Sequence, residues 1–306
     1  ETVAEWAEKI KNQLSRFLDF ESQENPAILA NNSDWTGSLD VITFLRDIGK
    51  HFGVNYMLAK ETVQSRLEKG ISFTESSYMI LQSLDFLKLY EEENCRLQIG
   101  GSDQWGNITA GLELIRKNHE NAKAFGFTVP LVTKADGTKF GKTEGNAVWL
   151  DPEKTTPYEF YQFWINTDDR DVVKYLKYFT FLSHEEIEEL AKATEEQPEK
   201  RLAQKALAED MTRLVHGEEA LQQAIRISEA LFSGNIKELT GQEIAQGFKD
   251  VPSYTNTEKN IKLVELLVNA NISPSKRQAR EDIKNGAIYI NGDRITDIGY
   301  ELSDAE

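Results

Sequence analysis

Hydrophobic positions in the first 150 residues alternate between helical and extended patterns. Apolar residues recur at three- and four-residue spacing over residues 3–18, which predicts an amphipathic helix, and a second such helix is predicted over residues 37–49. Short apolar runs at 96–99 and 127–132 predict strands, and a helix capped by Ser102 is expected to extend to Lys117. Because strands alternate with helices, we predict an α/β domain with a mostly parallel sheet over residues 1–151.

The pattern becomes wholly helical after Asp151. Thr156-Pro157-Tyr158-Glu159 has the sequence of a capping box with proline at the first helical position. Amphipathic helices are predicted at 184–195, 200–215 and 218–232, with no strand pattern between them. Residues 152–250 are therefore predicted to form an α-helical domain, which a polar linker at 251–260 follows.

Residues 261–306 predict a small α+β domain. A short apolar helix starts near Leu263, and Ser275 is placed to cap a second helix. Residues 287–295 predict a hairpin whose turn is Asn291-Gly292. The second helix carries a cluster of four basic residues, which we call the basic cluster: Lys276, Arg277, Arg280 and Lys284. This focused charge predicts contact with RNA phosphates, and an ordinary solvated helix is the alternative.

Composition limits the classes of function. The 306 residues are 40% hydrophobic and 28% charged, and no apolar run approaches the ~18 residues of a membrane helix. The single cysteine, Cys95, excludes an intrachain disulfide and suits a reducing compartment, so we expect a cytoplasmic protein with no membrane partner. A net charge of −16 disfavours general nucleic-acid binding, so any RNA contact has to be local. The four histidines lack metal-ligand spacing, and we predict no metal site in the protein itself.

Three polar residues lie on one stripe of an otherwise apolar helix. Tyr78, Gln82 and Asp85 are spaced i, i+4 and i+7, so their side chains share one face. Buried polar groups need hydrogen-bond partners, which favours a wall that faces a ligand. A partly exposed helix face is the alternative on this pattern alone.

A glycine turn and a lysine loop are the other candidate sites. Gly100-Gly101 follows a strand, which would let a ligand approach the backbone, and Asp103 could accept hydrogen bonds from ribose hydroxyls. Lys139 and Lys142 flank Gly141, an arrangement suited to a group whose negative charge redistributes during reaction, such as pyrophosphate. Structural or solvated turns are the alternatives in both cases. Neither segment is a Walker A motif, so P-loop chemistry is disfavoured.

Two motifs in this order resemble a known family. The string Gln98-Ile99-Gly100-Gly101-Ser102-Asp103-Gln104-Trp105-Gly106-Asn107 resembles bacterial tyrosyl-tRNA synthetase, a class I aminoacyl-tRNA synthetase. Lys139-Phe140-Gly141-Lys142-Thr143 occupies the place of the family's second signature, a variant of KMSKS. The resemblance implies an incomplete Rossmann-like catalytic domain, an α-helical anticodon-recognition domain and a small, truncated RNA-binding domain.

The resemblance also implies a reaction: ATP-dependent activation of L-tyrosine to tyrosyl-adenylate, followed by transfer to tRNA(Tyr). ATP is a substrate and brings Mg²⁺. Tyr78 and Gln82 would hold the α-ammonium group of tyrosine, and Asp85 would accept its phenol hydroxyl. Gln98 and Gln104 would orient the tyrosine and its reacting carboxylate. Gly101 and Asp103 would bind the ribose of ATP, and Lys139, Lys142 and Thr143 the pyrophosphate. A homodimer through the catalytic domain is implied, with Phe73 at the interface.

One departure from the family pattern leaves alternatives open. The sequence has no HIGH-type motif, and His51-Phe52-Gly53-Val54 is not one. We therefore expect a chain that lacks the family's N-terminal HIGH-containing segment and the extreme C-terminus, and that need not be active alone. A non-catalytic RNA-binding protein derived from a synthetase is the main alternative. An unrelated nucleotidyltransferase would require the stripe of Tyr78, Gln82 and Asp85 to be accidental.

Overall fold

The computed structural model describes residues 2–60, 63–64, 70–138, 140, 147–249, 251–257 and 259–303. The chain divides into two compact units, one of Leu18–Lys142 and one that joins Glu1–Phe17 to Thr143–Glu306. The predicted fold class is confirmed, with a parallel sheet in the first unit and helices followed by a small α+β domain in the second. In the part of the chain that the structure describes, no helix has the length and apolarity needed to cross a membrane.

The first unit contains a long helix pair and a two-stranded sheet. Its elements are α2 (Ser33–Thr36), α3 (Val41–Thr43), α4 (Val54–Leu58), α5 (Phe73–Glu92), β1 (Leu97–Gly101), α6 (Trp105–Asn118) and β2 (Phe125–Val129). The N-terminal helix α1 (Thr2–Leu14) groups with the second unit, which the hydrophobic pattern did not predict. Helices α5 and α6 pack through a buried cluster of Phe86, Leu87, Leu114 and Ile115.

The sheet has one packed face and one open face. Strands β1 and β2 pair in parallel, with Leu97 opposite Phe125 and Gly101 opposite Val129. A Cβ on Gly126 would lie 2.5 Å from Cγ2 of Ile108, so α6 packs directly on one face, where only glycine fits. The other face remains exposed in the described structure and carries Leu97, Ile99, Phe125, Phe127 and Val129.

Three boundaries in this unit differ from the sequence-based expectations. The helix predicted over 37–49 begins at Val41, because the Asp40 carboxylate caps the backbone amide of Thr43, and it continues as a π-helical turn at Phe44–Ile48. The ends of both strands are displaced by one to three residues from the predicted runs. The cap predicted at Ser102 is wrong, since Ser102–Gln104 form a 3-10 turn between β1 and α6 and Ser102 makes no cap. That turn lets the chain reverse onto the sheet face before α-helical bonding starts.

The helical part of the second unit follows the predicted pattern closely. Its helices are α7 (Pro157–Ile165), α8 (Asp169–Phe179), α9 (His184–Glu196), α10 (Leu202–His216), α11 (Glu218–Ser233) and α12 (Gly241–Gly247). The capping box is confirmed, because Thr156 accepts a hydrogen bond from the amide of Glu159 and the Glu159 carboxylate accepts one from the amide of Thr156. Buried aromatic and aliphatic side chains join these helices: Phe160, Tyr161, Trp164, Val172, Leu176, Leu207, Leu221 and Ile227.

The C-terminal part is the small α+β domain that the sequence predicts. It contains β3 (Asn260–Lys262), α13 (Leu263–Asn269), α14 (Lys276–Lys284), β4 (Ile288–Ile290), β5 (Asp293–Ile295) and β6 (Glu301–Ser303). Ser275 caps α14 as predicted. The hairpin turn is confirmed, with φ angles of 49° at Asn291 and 90° at Gly292, the left-handed conformation that a tight hairpin requires.

The half-buried ring of His216 makes this unit sensitive to acid. The ring lies edge-on to Phe160, with centroids 4.9 Å apart, and burial, together with the positive charge of Arg16, lowers the pKa of His216 to about 4. The unfolded chain binds this proton near its ordinary pKa of 6.5, so the folded state is favoured fully above pH 6.5 and progressively less towards pH 4.

We expect His216→Gln to reduce this loss of stability. Between pH 7 and 4.5, the free energy of unfolding of the unsubstituted protein should fall by about 1–2 kcal/mol more than that of the variant. This is less than the full pKa shift would give, because solvent screens part of the effect. Urea denaturation at several pH values measures the difference. Parallel pH profiles for the two proteins would contradict the assignment.

Candidate functional site

The polar stripe of α5 lies at the edge of the hydrophobic core. The helix starts at Phe73 because Ser72 and Glu75 form a capping box, which sets the register of the stripe. Tyr78 is 63% exposed, and Gln82 and Asp85 are half-buried. The opposite face carries the buried residues Met79, Ile80, Ser83, Leu84, Phe86 and Leu87. The stripe is therefore accessible to a ligand while its helix is held firmly by packing.

Both oxygens of the Asp85 carboxylate are held by donors from the α2 region. Trp35 Nε1 donates to Oδ1 at 2.8 Å, and Asn32 Nδ2 donates to Oδ2 at 3.3 Å. Each oxygen keeps a further lone pair, so the carboxylate can still accept a hydrogen bond from a ligand hydroxyl. Asn32 and Trp35 were not among the predicted site residues, because no local spacing connects them with a residue about fifty positions later.

A chain of amide hydrogen bonds connects α5 to the glycine turn. Asn107 Nδ2 donates to Gln82 Oε1 at 3.0 Å and to Gln104 Oε1 at 3.2 Å. Gln104 Nε2 in turn donates to Asp103 Oδ2 at 3.4 Å. The structure thus joins three of the predicted site residues, Gln82, Gln104 and Asp103, through Asn107, for which the sequence predicted no role.

The two glycines of the turn allow close packing. A Cβ on Gly101 would lie 2.7 Å from Asp103 Oδ1 and 3.0 Å from Leu131 Cδ2. A Cβ on Gly100 would lie 3.0 Å from Gln104 Cβ. Gly101 has an ordinary φ of −70°, so space and not backbone conformation requires glycine here. Any larger residue would displace Asp103 or Gln104, both of which are predicted ligand contacts.

Gln98 presents a buried acceptor beside this turn. It lies on β1, on the sheet face that α6 covers. Its Oε1 atom is buried and accepts no hydrogen bond from the described residues. Because buried polar atoms are nearly always satisfied, a donor from a ligand or a water molecule suits this oxygen.

The lysine loop is described only at its base. Lys139, Lys142 and Thr143 lie outside the described residues, so their predicted contact with pyrophosphate stays a prediction. Before them, Asp136 Oδ1 accepts hydrogen bonds from the amide and hydroxyl of Thr138. The amide of Phe140 donates to the carbonyl of Val132 at 3.1 Å, so this turn doubles back on the segment that follows β2.

The basic cluster is exposed on α14. Ala279 and Ile283 face the core, which leaves all four basic side chains in solvent. Lys276 Nζ lies 2.9 Å from Glu265 Oε1, and no ion pair with another described residue is found for the other three. The charge of this face is therefore only partly neutralised within the domain.

Two family models together match nearly the whole chain. Residues 1–233 match the family described as tRNA synthetases class I (W and Y). Residues 243–306 match the tyrosine–tRNA ligase SYY-like C-terminal domain. Within the second structural unit, the first match ends at the last residue of α11 and the second begins inside α12.

Individual proteins show the same similarity. The chain is 73% identical to tyrosine–tRNA ligase 1 of Bacillus anthracis over 306 residues, which are 100% of this chain and 73% of that protein. It is 73% identical to tyrosine–tRNA ligase 1 of Bacillus subtilis (strain 168) over 303 residues, 98% of this chain and 72% of that protein. The crystal structure of a C-terminally truncated Aspergillus nidulans mitochondrial tyrosyl-tRNA synthetase matches with 30% identity and a TM-score of 0.60, covering 74% of this chain and 66% of that one.

Proposed function

This chain belongs to the tyrosyl-tRNA synthetase family, and from that premise we propose that the protein activates L-tyrosine with ATP and transfers it to tRNA(Tyr). The relatives are tyrosine–tRNA ligases over the full length of this chain, which supports this function over a non-catalytic RNA-binding protein. The observation that carries the proposal is the oriented carboxylate of Asp85 on the polar stripe of α5.

Asp85 is suited to select tyrosine by its phenol. Trp35 and Asn32 hold both carboxylate oxygens, so the group is oriented before a ligand arrives. A phenol hydroxyl would donate to the remaining acceptor capacity, whereas phenylalanine would leave it unpaired. A site that hydrogen-bonds a substrate hydroxyl strongly rejects an analogue that lacks it, and the rejection of phenylalanine by this family is an example of that rule.

The remaining predicted contacts complete the activation step. We assign the α-ammonium group of tyrosine to Tyr78 and Gln82, its carboxylate to Gln98 and Gln104, and the ribose of ATP to Gly101 and Asp103. A carboxylate oxygen of tyrosine forms a bond to the α-phosphorus while the bond to pyrophosphate breaks. The reaction needs no nucleophile from the protein, so these residues act by positioning, and Lys139, Lys142 and Thr143 stabilise the departing charge.

Two further features belong to this proposal. Mg²⁺ would enter with ATP, whose phosphate oxygens are the hard ligands that this ion prefers. In the lysine loop the predicted phosphate partners are cationic, so the lysines and the metal would both neutralise phosphate charge. We place the protein in the cytoplasm, which the single cysteine Cys95 suits.

Tyrosine-dependent exchange of labelled pyrophosphate into ATP tests the proposal. The protein should catalyse exchange with L-tyrosine and not with L-phenylalanine or L-tryptophan. Aminoacylation of tRNA(Tyr) by the same preparation tests the second step. Exchange with tryptophan in place of tyrosine, or no exchange with any amino acid, would overturn the assignment.

We also propose a homodimer through the first unit. Phe73 opens α5 and is 78% exposed, an unfavourable position for a large apolar side chain unless another surface covers it. It lies five residues before Tyr78 on the same helix, about one and a half turns, so the interface would adjoin the tyrosine site. Sedimentation at micromolar concentration should show a dimer, and Phe73→Asp should yield monomers.

RNA binding is assigned to the second unit. We propose that the helical part, residues 152–250, recognises the anticodon region and that the basic cluster contacts phosphates. Replacing Lys276, Arg277 and Arg280 with alanine should weaken tRNA binding and reduce the slope of log K against log salt by roughly three units, because each cation releases about one counterion. Filter binding at several salt concentrations measures both effects.

A variant of equal charge change provides the control. Lys9, Lys11 and Lys88 replaced together with alanine should leave the slope close to that of the unsubstituted protein. If the two triple variants behave alike, the basic cluster is ordinary surface charge.

A further inference from the structure

Asn107 is the central member of the amide chain in the candidate site. It lies in the first turn of α6, half-buried, and both hydrogens of its side-chain amide are used, one on Gln82 and one on Gln104. Gln82 comes from α5 and Gln104 from the turn before α6, so Asn107 connects two separate walls of the site. No motif or spacing assigned it a function.

The negative charge of Asp103 sets the direction of the whole chain. Gln104 turns Nε2 towards Asp103 Oδ2, because the opposite orientation would place two oxygens against each other. Gln104 Oε1 then faces Asn107, which must present its NH2 group to it. The second hydrogen of that NH2 group is donated to Gln82, so Gln82 must present Oε1 as the acceptor. One carboxylate thus determines the orientation of three amides.

We propose that Asn107 is a positioning residue that fixes the amide orientation of Gln82 and Gln104 for binding of tyrosine. This inference rests on the proposed function. Gln82 Oε1 retains a second lone pair that can accept from the α-ammonium group, whereas a rotated amide would present hydrogens to that cation. Gln104 likewise keeps its NH2 group on the side of Asp103, from which it can donate to an anionic ligand group.

The test measures tyrosine binding to the protein by equilibrium dialysis. Asn107→Leu keeps a similar volume and removes both donors, and it should weaken tyrosine binding roughly tenfold, the effect of one or two lost hydrogen bonds. Des-amino tyrosine, 3-(4-hydroxyphenyl)propanoate, lacks the α-ammonium group, so its affinity should change less than that of tyrosine. A role in packing alone would weaken both ligands equally.

A double-mutant cycle separates positioning from general damage. The part of the effect that Asn107 exerts through Gln82 should disappear in a Gln82→Ala background, so Asn107→Leu should weaken tyrosine binding there by clearly less than tenfold. Asn118→Leu is the matched control, because Asn118 lies on the same helix and donates to the carbonyl of Leu114, away from the amide chain. It should bind tyrosine normally.

Three results would overturn the inference: unchanged tyrosine affinity in Asn107→Leu, an equal loss of affinity for tyrosine and des-amino tyrosine, or a full tenfold loss that persists in the Gln82→Ala background. The cycle compares backgrounds, so it decides the question even if Asn107→Leu also lowers the melting temperature. An unsubstituted protein that binds no tyrosine would instead overturn the proposed function, which keeps the two failures distinct.

Discussion

Replacing Asp85 with alanine should raise the tyrosine concentration needed for half-maximal pyrophosphate exchange by roughly 10- to 100-fold, with little effect on that for ATP. The expected loss corresponds to about 1.5–3 kcal/mol for a hydrogen bond to a charged group. Selectivity over phenylalanine should fall as well, because the unpaired acceptor that penalises phenylalanine is removed. The effect should be large because Trp35 and Asn32 already orient this carboxylate.

Two variants separate this role from a general loss of structure. Asp47→Ala removes a half-exposed carboxylate whose ion pair among the described residues is with neighbouring Arg46, and it should leave tyrosine use unchanged. Trp35→Phe removes one donor to Asp85 and should have an intermediate effect on tyrosine. If Asp85→Ala leaves both tyrosine use and selectivity over phenylalanine intact, Asp85 does not bind the phenol.

Alanine at Lys139 or Lys142 should slow tyrosyl-adenylate formation by roughly 10²–10³-fold each, the cost of removing one electrostatic contact to a charged transition state. Negative charge builds on pyrophosphate as its bond to the α-phosphorus breaks, so the contacts strengthen during reaction. Removing interactions of this kind lowers the reaction rate and leaves ground-state binding of tyrosine intact. Tyrosine affinity should therefore be nearly unchanged.

Single-turnover kinetics with a separate measurement of tyrosine binding checks this expectation. Lys88→Ala is a suitable control, because it removes one cation that pairs with Glu91 and Glu92 on α5. A fall in tyrosine affinity equal to the fall in rate would mean that the lysines act in ground-state binding.

Features that depend on a few adjacent residues could be predicted at their correct positions. The capping box at Thr156, the cap at Ser275 and the hairpin turn at Asn291-Gly292 all lie where the sequence places them. Each results from hydrogen bonding or backbone preference within about four residues, so the surroundings change little. The long amphipathic helices α9, α10 and α11 agree with prediction to within two residues for the same reason.

Boundaries set by packing were less predictable. Serine is a common capping residue, yet Ser102 lies in a 3-10 turn that brings α6 back over the sheet. The helix predicted to start at residue 37 starts at Val41, because Asp40 caps it there. The hydrophobic pattern contains no information about caps. Helical periodicity predicts which face of a helix is apolar, but it does not determine at which residue the helix begins.

The candidate site shows the same division between local and distant information. Motif and helical spacing were enough to select Tyr78, Gln82, Asp85, Gln104 and Asp103, because residues within one helix or one turn keep fixed relations. Only the folded chain could reveal that Trp35 and Asn32 orient Asp85 and that Asn107 joins α5 to the glycine turn. The contact of Asn107 with Gln82 and the two contacts to Asp85 link residues 25 to 53 positions apart, and their geometry depends on how the first unit packs, which no local pattern encodes.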